Sequence, residues 1–213
     1  MMKVFKTIYT PLLLAALFLA FAGCSKDRFE EINTDPNRPE TVSTPYILVT
    51  AQKQIMDALR SESINLRGAQ LYAQYFSQHI YTDQSRYLVT PEYADQYWTD
   101  TYKALNNLNE IILLNTDEET KAIVTAGAAG SNANQIAIAR ILKSYAFHSL
   151  SDVFGDIPYQ SYGNDDPEFQ ALSQKEEILS PAYATQEKIY KDILNELKQA
   201  ADTLIKYQSE KTF

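Results

Sequence analysis

Hydrophobic residues recur every three or four positions along most of the chain after residue 45, a spacing typical of α-helices. The clearest segment is 185–206, where Ile189, Ile193 and Leu197 share one face and charged residues fill the opposite face. Thr185 stands at the position of a helix N-cap. The pattern therefore predicts an amphipathic helix over 185–206.

The same spacing predicts four further helices, at residues 45–60, 63–80, 92–114 and 134–154. The 134–154 segment is apolar nearly all round, which predicts a central helix that is buried on most sides. No convincing alternation of apolar and polar residues indicates a strand, so the predicted fold class is all-α. Consecutive helices of this length favour tetratricopeptide-like helix pairs joined by long loops.

Proline and glycine mark the connections between these helices. Residues 125–135 are small and uncharged, which favours a flexible connection, and residues 155–183 form a much longer connection that contains Pro158, Pro167 and Pro181. Loops longer than about 12–15 residues in compact domains are usually functional or disordered. The chain ends just past a helix, so we expect the α-helical domain, residues 45–213, to be the N-terminal part of a larger fold.

The first 23 residues have the pattern of a signal peptide. Lys3 and Lys6 give a positive start, Leu12–Ala22 is an uncharged apolar run, and the small pair Ala22-Gly23 precedes a cleavage point. A transmembrane helix needs about 20 apolar residues. The run is about half that length, so we predict a signal peptide over residues 1–23 rather than a membrane span.

Cys24 is the only cysteine in the chain and directly follows the small pair, as in a bacterial lipobox. We predict that Cys24 is acylated and anchors the protein to a membrane without spanning it. The alternative is an ordinary signal peptide with a cysteine nearby by chance. Residues 24–44 then form a tether, because Pro36 and Pro39 interrupt any helix or strand.

The formal net charge of −8 at pH 7 disfavours nucleic acid as a partner, because phosphate binding needs a basic surface. The two histidines, His79 and His148, fall on different predicted helices, and we expect His148 to be a core residue. No nucleophile, zinc or phosphate-binding motif occurs. Paired carboxylates for glycoside hydrolysis stay open, but nothing selects a pair. The sequence therefore favours a binding protein over an enzyme, without a cofactor.

Asp165, Asp166 and Glu168 supply oxygen ligands of the kind that Ca²⁺ prefers. Their spacing lacks the regular alternation of a calcium loop. We therefore favour a solvated acidic loop and predict no metal site.

Aromatic residues are abundant, with 15 tyrosines, and several are interleaved with polar residues in segment 79–98. Aromatic rings stack on the C–H faces of sugars, while neighbouring polar groups bond the hydroxyls. The candidate ligand-binding residues are Tyr81, Asp83, Arg86, Tyr87 and Trp98. For Trp98 the competing interpretation is packing between helices, and for the two tyrosines it is plain surface exposure.

Four segments occur in order and together resemble one protein family. They are "CSKDRFEEINTDPNRP", "YWTDTYKALNNLNEI", "LSDVFGDIPY" and "SPAYATQEKIYKDILNELKQA". The chain resembles the SusD/RagB-like nutrient-binding outer-membrane lipoproteins, in particular the SusD-like branch. Members of that family are longer, so the resemblance covers roughly their N-terminal half.

The resemblance implies an α-helical fold with tetratricopeptide-like helix pairs and a lipid anchor at the cell surface. It implies a SusC-like TonB-dependent transporter as partner and a glycan as ligand, which the protein captures and delivers. Two alternatives stay open: capture of peptides, as in the RagB branch, and a helical scaffold that binds only protein.

Overall fold

A computed structural model of the protein describes residues 42–125, 130–173 and 178–209. The predicted signal peptide, Cys24 and the tether as far as residue 41 lie outside the described residues. Five α-helices occur in the described ranges: α1 Thr44–Leu59, α2 Asp95–Thr116, α3 Lys121–Val124, α4 Asn132–Phe154 and α5 Gln186–Lys206. Two short strands, β1 Ile157–Pro158 and β2 Tyr183–Ala184, pair antiparallel. The all-α prediction is confirmed.

Four of the five predicted helices are confirmed, with boundaries within two residues at most ends. Local signals explain where they begin. The Thr185 hydroxyl accepts a hydrogen bond from the Lys188 N–H at 3.4 Å, as predicted for the N-cap of α5. Ser131 caps α4 in the same way. At the other end of α4, Gly155 has a φ of 75°, a left-handed conformation that glycine adopts without steric cost.

The long helices pack one on the next in chain order, α1 on α2, α2 on α4, and α4 on α5. This order is what stacked helical hairpins produce, and it buries one apolar face of each helix. The largest fully buried side chains include Ile55, Tyr97, Leu105, Leu108, Phe147, Leu150 and Ile189.

Helix α4 lies at the centre of the stack, and the prediction that it is buried on most sides is confirmed, since only Tyr145, Asp152 and Val153 of its 23 residues are exposed. Its buried positions include the polar residues Gln135, Arg140 and Lys143, whereas Tyr145 is exposed and Leu142 is only partly buried. Buried polar groups are tolerated where they find partners. These polar side chains of α4 are buried because α1, α2 and α5 supply hydrogen-bond partners for them. The core around α4 is therefore partly polar, although the spacing of the sequence suggested an apolar one.

Arg140 and Glu196 form a buried ion pair between α4 and α5. The guanidinium donates to the two carboxylate oxygens at 2.9 and 3.0 Å, and both side chains are almost fully buried. Such fork-to-fork geometry is the strongest form of an Arg–carboxylate contact. The pair fixes how the last helix sits on α4.

The prediction of one helix over 63–80 is wrong. A π-helical segment, Glu62–Gln70, is followed by less than one turn of α-helix and then by irregular chain. Gln74 has a φ of 59°, which a continuing helix does not allow. The aromatics that suggested the helix, Tyr75 and Phe76, are exposed, so no core contact favours helical structure there.

The long connection between α4 and α5 folds onto the helices in its described part. Ile157 and Tyr159 are fully buried, and Phe169 stacks edge-on against Tyr159 with ring centroids 5.1 Å apart. The β1–β2 pairing ties its two ends together. The segment is therefore part of the core.

His148 is not a core residue, contrary to the prediction. Its side chain is 45% exposed, and Nδ1 lies 3.7 Å from an Asp152 carboxylate oxygen. Its ring contacts Tyr190 of α5. His148 directly follows the buried Phe147, but adjacent residues of a helix point in directions about 100° apart, so the burial of Phe147 does not extend to His148.

None of the described helices has both the length and the apolar character needed to cross a bilayer.

Candidate functional site

The exposed aromatic residues concentrate in the irregular chain between the π-helical segment and α2. We call residues 72–93 the tyrosine loop. Its exposed large side chains are Tyr75, Phe76, Ile80, Tyr81, Tyr87, Leu88 and Val89. Exposed apolar side chains concentrated in one segment favour a binding surface when they form a single patch.

Tyr87 is held in place although it is 54% exposed. Its hydroxyl accepts a hydrogen bond from Gln74 Nε2 at 2.7 Å and donates to the Tyr72 carbonyl at 3.1 Å. Its ring stacks on Tyr72, with centroids 6.0 Å apart and an interplanar angle of 18°. The Tyr87 side chain is thus fixed at both ring and hydroxyl, as a preorganised platform requires.

Tyr93 supports this stack through Tyr72. Its ring lies 5.7 Å from that of Tyr72, and burial, with Tyr72 as a smaller contribution, raises the pKa of the Tyr93 hydroxyl. Gly68 of the π-helical segment lies directly against the Tyr93 phenol oxygen, and a Cβ at position 68 would overlap it. Only glycine allows this close approach.

Backbone strain gathers in the same loop. In the described residues, the non-glycine positions with positive φ are Gln74 (59°), Tyr81 (54°) and Tyr87 (60°). Such conformations cost about 1–3 kcal/mol each and persist where the surroundings impose them, often at ligand clamps. Hydrogen bonds within the loop, such as those of Tyr87 and of Gln78, therefore help to hold its backbone in these conformations.

A polar clamp closes the neck of the loop. Ser85 Oγ accepts from the Gln78 N–H at 2.8 Å, and Gln78 Oε1 accepts from the Ser85 N–H at 3.3 Å. Between them, Tyr81 stands at the tip and is 86% exposed. The hydrogen bonds between Gln78 and Ser85 therefore close the turn that carries the exposed Tyr81 side chain.

Asp83 and Arg86 lie on the same turn as Tyr81, and neither is buried. Their backbones are bonded to each other, with Arg86 N–H donating to the Asp83 carbonyl at 3.1 Å. No hydrogen bond or ion pair holds either side chain in the described part of the chain. A carboxylate acceptor and a guanidinium donor are thus available beside two tyrosine rings, the set that sugar hydroxyls require.

Trp98 lies apart from these four residues, on α2. Its ring packs on Tyr102 and Phe154 with centroid distances of 4.8 and 4.9 Å, and it stacks on the exposed Tyr183 at 6.5 Å. The structure thus brings Tyr81, Asp83, Arg86 and Tyr87 onto one loop and places Trp98 in a seam between helices. Packing accounts for Trp98, and its role in ligand binding stays a prediction.

The acidic residues of the long connection meet a lysine. Lys188 Nζ lies 2.8 Å from Asp166 Oδ2 and 3.1 Å from Glu168 Oε2, and the hydrogen bond from Lys188 lowers the pKa of Asp166. Within the described ranges, no group of three or more His, Cys, Asp or Glu side chains is placed to hold a metal ion.

Sequence reasoning missed the residues that fix the loop: Gly68, Tyr72, Gln74 and Tyr93. All four fall within predicted helices, and Tyr72, Gln74 and Tyr93 carry no pattern that singles them out. A glycine within a predicted helix is the one available signal, since a glycine there often marks a close approach.

The chain matches the model of the SusD-like family, described as "Starch-binding associating with outer membrane", over residues 36–212. No curated protein and no solved structure matches it. The family match covers every described α-helix and the whole tyrosine loop, and it confirms the resemblance in the sequence. The chain therefore belongs to the SusD-like family of starch-binding proteins that associate with the outer membrane.

Proposed function

We propose that this protein is a cell-surface lipoprotein that captures glycans and delivers them to a TonB-dependent transporter in the outer membrane. The observation that carries the proposal is the tyrosine loop: exposed aromatic rings, with that of Tyr87 held by three contacts, flanked by an available carboxylate and guanidinium in a member of a family described as starch-binding.

Sugar recognition needs a flat apolar surface and directional polar groups together. Tyr81 and Tyr87 supply the rings, and Asp83 and Arg86 supply an acceptor and donors on the same turn. Because three contacts already hold the Tyr87 side chain, little conformational entropy is lost when a ligand binds. The loop therefore fits a capture role without catalytic groups.

Calorimetry with a panel of soluble maltooligosaccharides tests the ligand. We expect Tyr81→Ala or Tyr87→Ala to weaken binding by about 1–3 kcal/mol, the range for the loss of an anchor residue. Asp83→Ala should weaken it less. Tyr46→Ala is the matched control, because Tyr46 is likewise an exposed tyrosine but lies on α1. Unchanged affinity in both loop variants would place the glycan site elsewhere.

The membrane anchor is a separate part of the proposal. Cys24 and the tether rest on the sequence alone, so Cys24→Ala should release the protein from membranes into the soluble fraction and abolish labelling with palmitate. A variant that still sediments with the outer membrane would contradict the lipid anchor.

The aliphatic side chains of the loop favour a protein contact as a second role. Ile80, Leu88 and Val89 are more than half exposed and offer nothing to a sugar hydroxyl. We infer that they contact the transporter rim. Co-purification of a TonB-dependent barrel from native outer membranes, lost in an Ile80→Ser/Leu88→Ser variant, tests this role. Co-purification that survives both changes would contradict it. Binding of peptides but not glycans would favour the peptide-capturing alternative.

A further inference from the structure

A cavity of about 560 Å³ opens between α2, α4 and the long connection. This volume is within the usual range of small-ligand sites. Its described lining residues all lie outside the tyrosine loop, and they include Asn109, Ile112, Lys143, Tyr162 and Leu172. The cavity is therefore separate from the surface proposed above for glycan capture.

Lys143 brings a positive charge to this cavity from the centre of the fold. The residue is only 3% exposed, and burial lowers the pKa of its ammonium to about 8. In the part of the chain that the structure describes, its one hydrogen-bond acceptor is Asn109 Oδ1, at 3.5 Å. An ammonium has three N–H donors, so the described residues leave two of them unused.

The other charged groups near Lys143 are already engaged. Glu196 is bonded by Arg140 through both oxygens, and Asp192 accepts the Tyr159 hydroxyl at 2.9 Å. Both carboxylates favour the charged form of Lys143 at longer range, and Arg140 opposes it. No carboxylate of the described residues forms an ion pair with the Lys143 ammonium.

A buried ammonium without a bonded counter-ion destabilises its own protein, and an anion that enters the cavity relieves that cost. The apolar lining of the cavity includes Ile112, Leu172 and Tyr162, whose ring centroid lies 4.5 Å from the Arg140 guanidinium, and it suits the C–H face of a pyranose. The site therefore combines a cation with an apolar wall at the scale of one sugar residue.

We propose that this cavity binds the carboxylate of a sugar acid, with Lys143 as the counter-ion. The inference deepens the proposed function and rests on it, because it names acidic glycans as a ligand class at a second site distinct from the tyrosine loop.

Titration calorimetry with an oligogalacturonate and a neutral maltooligosaccharide of equal length tests the proposal. Lys143→Met removes the charge at nearly constant volume, and Lys198→Met, on the exposed face of α5, is the control. We expect Lys143→Met to weaken oligogalacturonate binding about tenfold or more, the size expected for a charge-assisted hydrogen bond. The neutral sugar should bind both variants as it binds the wild type.

A pH series on the wild type repeats the test without any substitution. Oligogalacturonate affinity should fall as the pH rises from about 7 to 10, because Lys143 loses its proton, whereas neutral-sugar affinity should not. Acetate serves as the probe for a plain anion site.

Three results would overturn the inference: no preference for the sugar acid over the neutral sugar, equal binding of the acid by Lys143→Met, or acetate binding as tight as that of the oligogalacturonate. Lys143-dependent binding of the acid without any binding of the neutral sugar would support the cavity and contradict the tyrosine loop as a glycan site. The two proposals thus fail separately.

Discussion

The stacked helices and the tyrosine loop use aromatic residues in opposite ways. In the core of the stack, Phe147 of α4 meets Tyr159 of the long connection edge-to-face at 4.7 Å, and both are fully buried, so their main effect is on stability. In the loop, Tyr81 and Tyr87 are exposed, and the backbone beneath them is strained. Abundance of tyrosine alone therefore does not distinguish the two regions, whereas exposure on a strained backbone does, and the proposed glycan site rests on that difference.

The largest expected effect tests the buried ion pair of the stack. Arg140→Met leaves the Glu196 carboxylate buried without its partner, and we expect a loss of about 3–5 kcal/mol in the free energy of unfolding. The double variant Arg140→Met/Glu196→Leu should recover most of it. Denaturant unfolding measures both. A single variant as stable as Lys198→Met, which breaks an exposed pair, would contradict the burial of Arg140.

Phe147→Ala sharpens the contrast between buried and exposed rings. Phe147 packs against Tyr102 and Tyr159, so its removal should lower the free energy of unfolding by about 3–5 kcal/mol. Tyr81→Ala should change it by less than about 0.5 kcal/mol, because the Tyr81 side chain is exposed. Equal losses at the two positions, measured by chemical unfolding, would contradict the division between stack and loop.

Lys143 makes the free energy of unfolding depend on pH. Its pKa is lowered from 10.5 to about 8 by burial, so below pH 8 the folded state bears the whole cost of the buried charge, about 3 kcal/mol. Between about pH 8 and 10.5 the unfolded chain keeps a proton that the folded protein has released, and stability rises with pH.

Lys143→Met should therefore be more stable than the wild type at about pH 7, and the difference should narrow by about pH 9.5. Thermal unfolding at both pH values measures this. Tyr102 and Tyr159 also titrate at higher pH, and burial raises the pKa of both hydroxyls. Above about pH 10 the unfolded chain therefore loses tyrosine protons that the folded state keeps, in the wild type and the variant alike. If the stability difference between Lys143→Met and the wild type were the same at both pH values, that result would contradict a charged, buried Lys143.

Gly68→Ala tests how the π-helical segment supports the tyrosine loop, and its expected effect is smaller. The new methyl group must displace the Tyr93 ring, and we expect a loss of about 1–3 kcal/mol. Near-ultraviolet circular dichroism should report the disturbed tyrosines. Ala69→Gly, at the next position of the same segment, is the control for backbone flexibility. An unchanged spectrum in Gly68→Ala would contradict the close approach of Tyr93.

The helical stack is readable in the sequence and the loop much less so, for a physical reason. Residues such as Ile189 and Leu105 repeat at the helical spacing because they pack on neighbouring helices, and that repeat is readable. Tyr75 and Phe76 show a similar spacing without any core contact, and the predicted helix there is wrong. Periodicity records packing, so it misleads where apolar residues face solvent.

The candidate site is predictable only in part. The alternation of aromatic and polar residues singles out Tyr81, Asp83, Arg86 and Tyr87, which lie on one loop, and their role in ligand binding stays a prediction. The contacts that fix Tyr87 come from Tyr72 and Gln74, more than ten positions earlier in the chain. Such long-range hydrogen bonds follow from the fold and leave no local pattern to detect.

Hydrogen–deuterium exchange with and without a saturating maltooligosaccharide tests the central claim, that the tyrosine loop is the glycan-capturing surface, most directly. We predict slower exchange at backbone amides of the loop on addition of the sugar and no change in α5. Protection confined to the stacked helices, with the loop unaffected, would contradict the account.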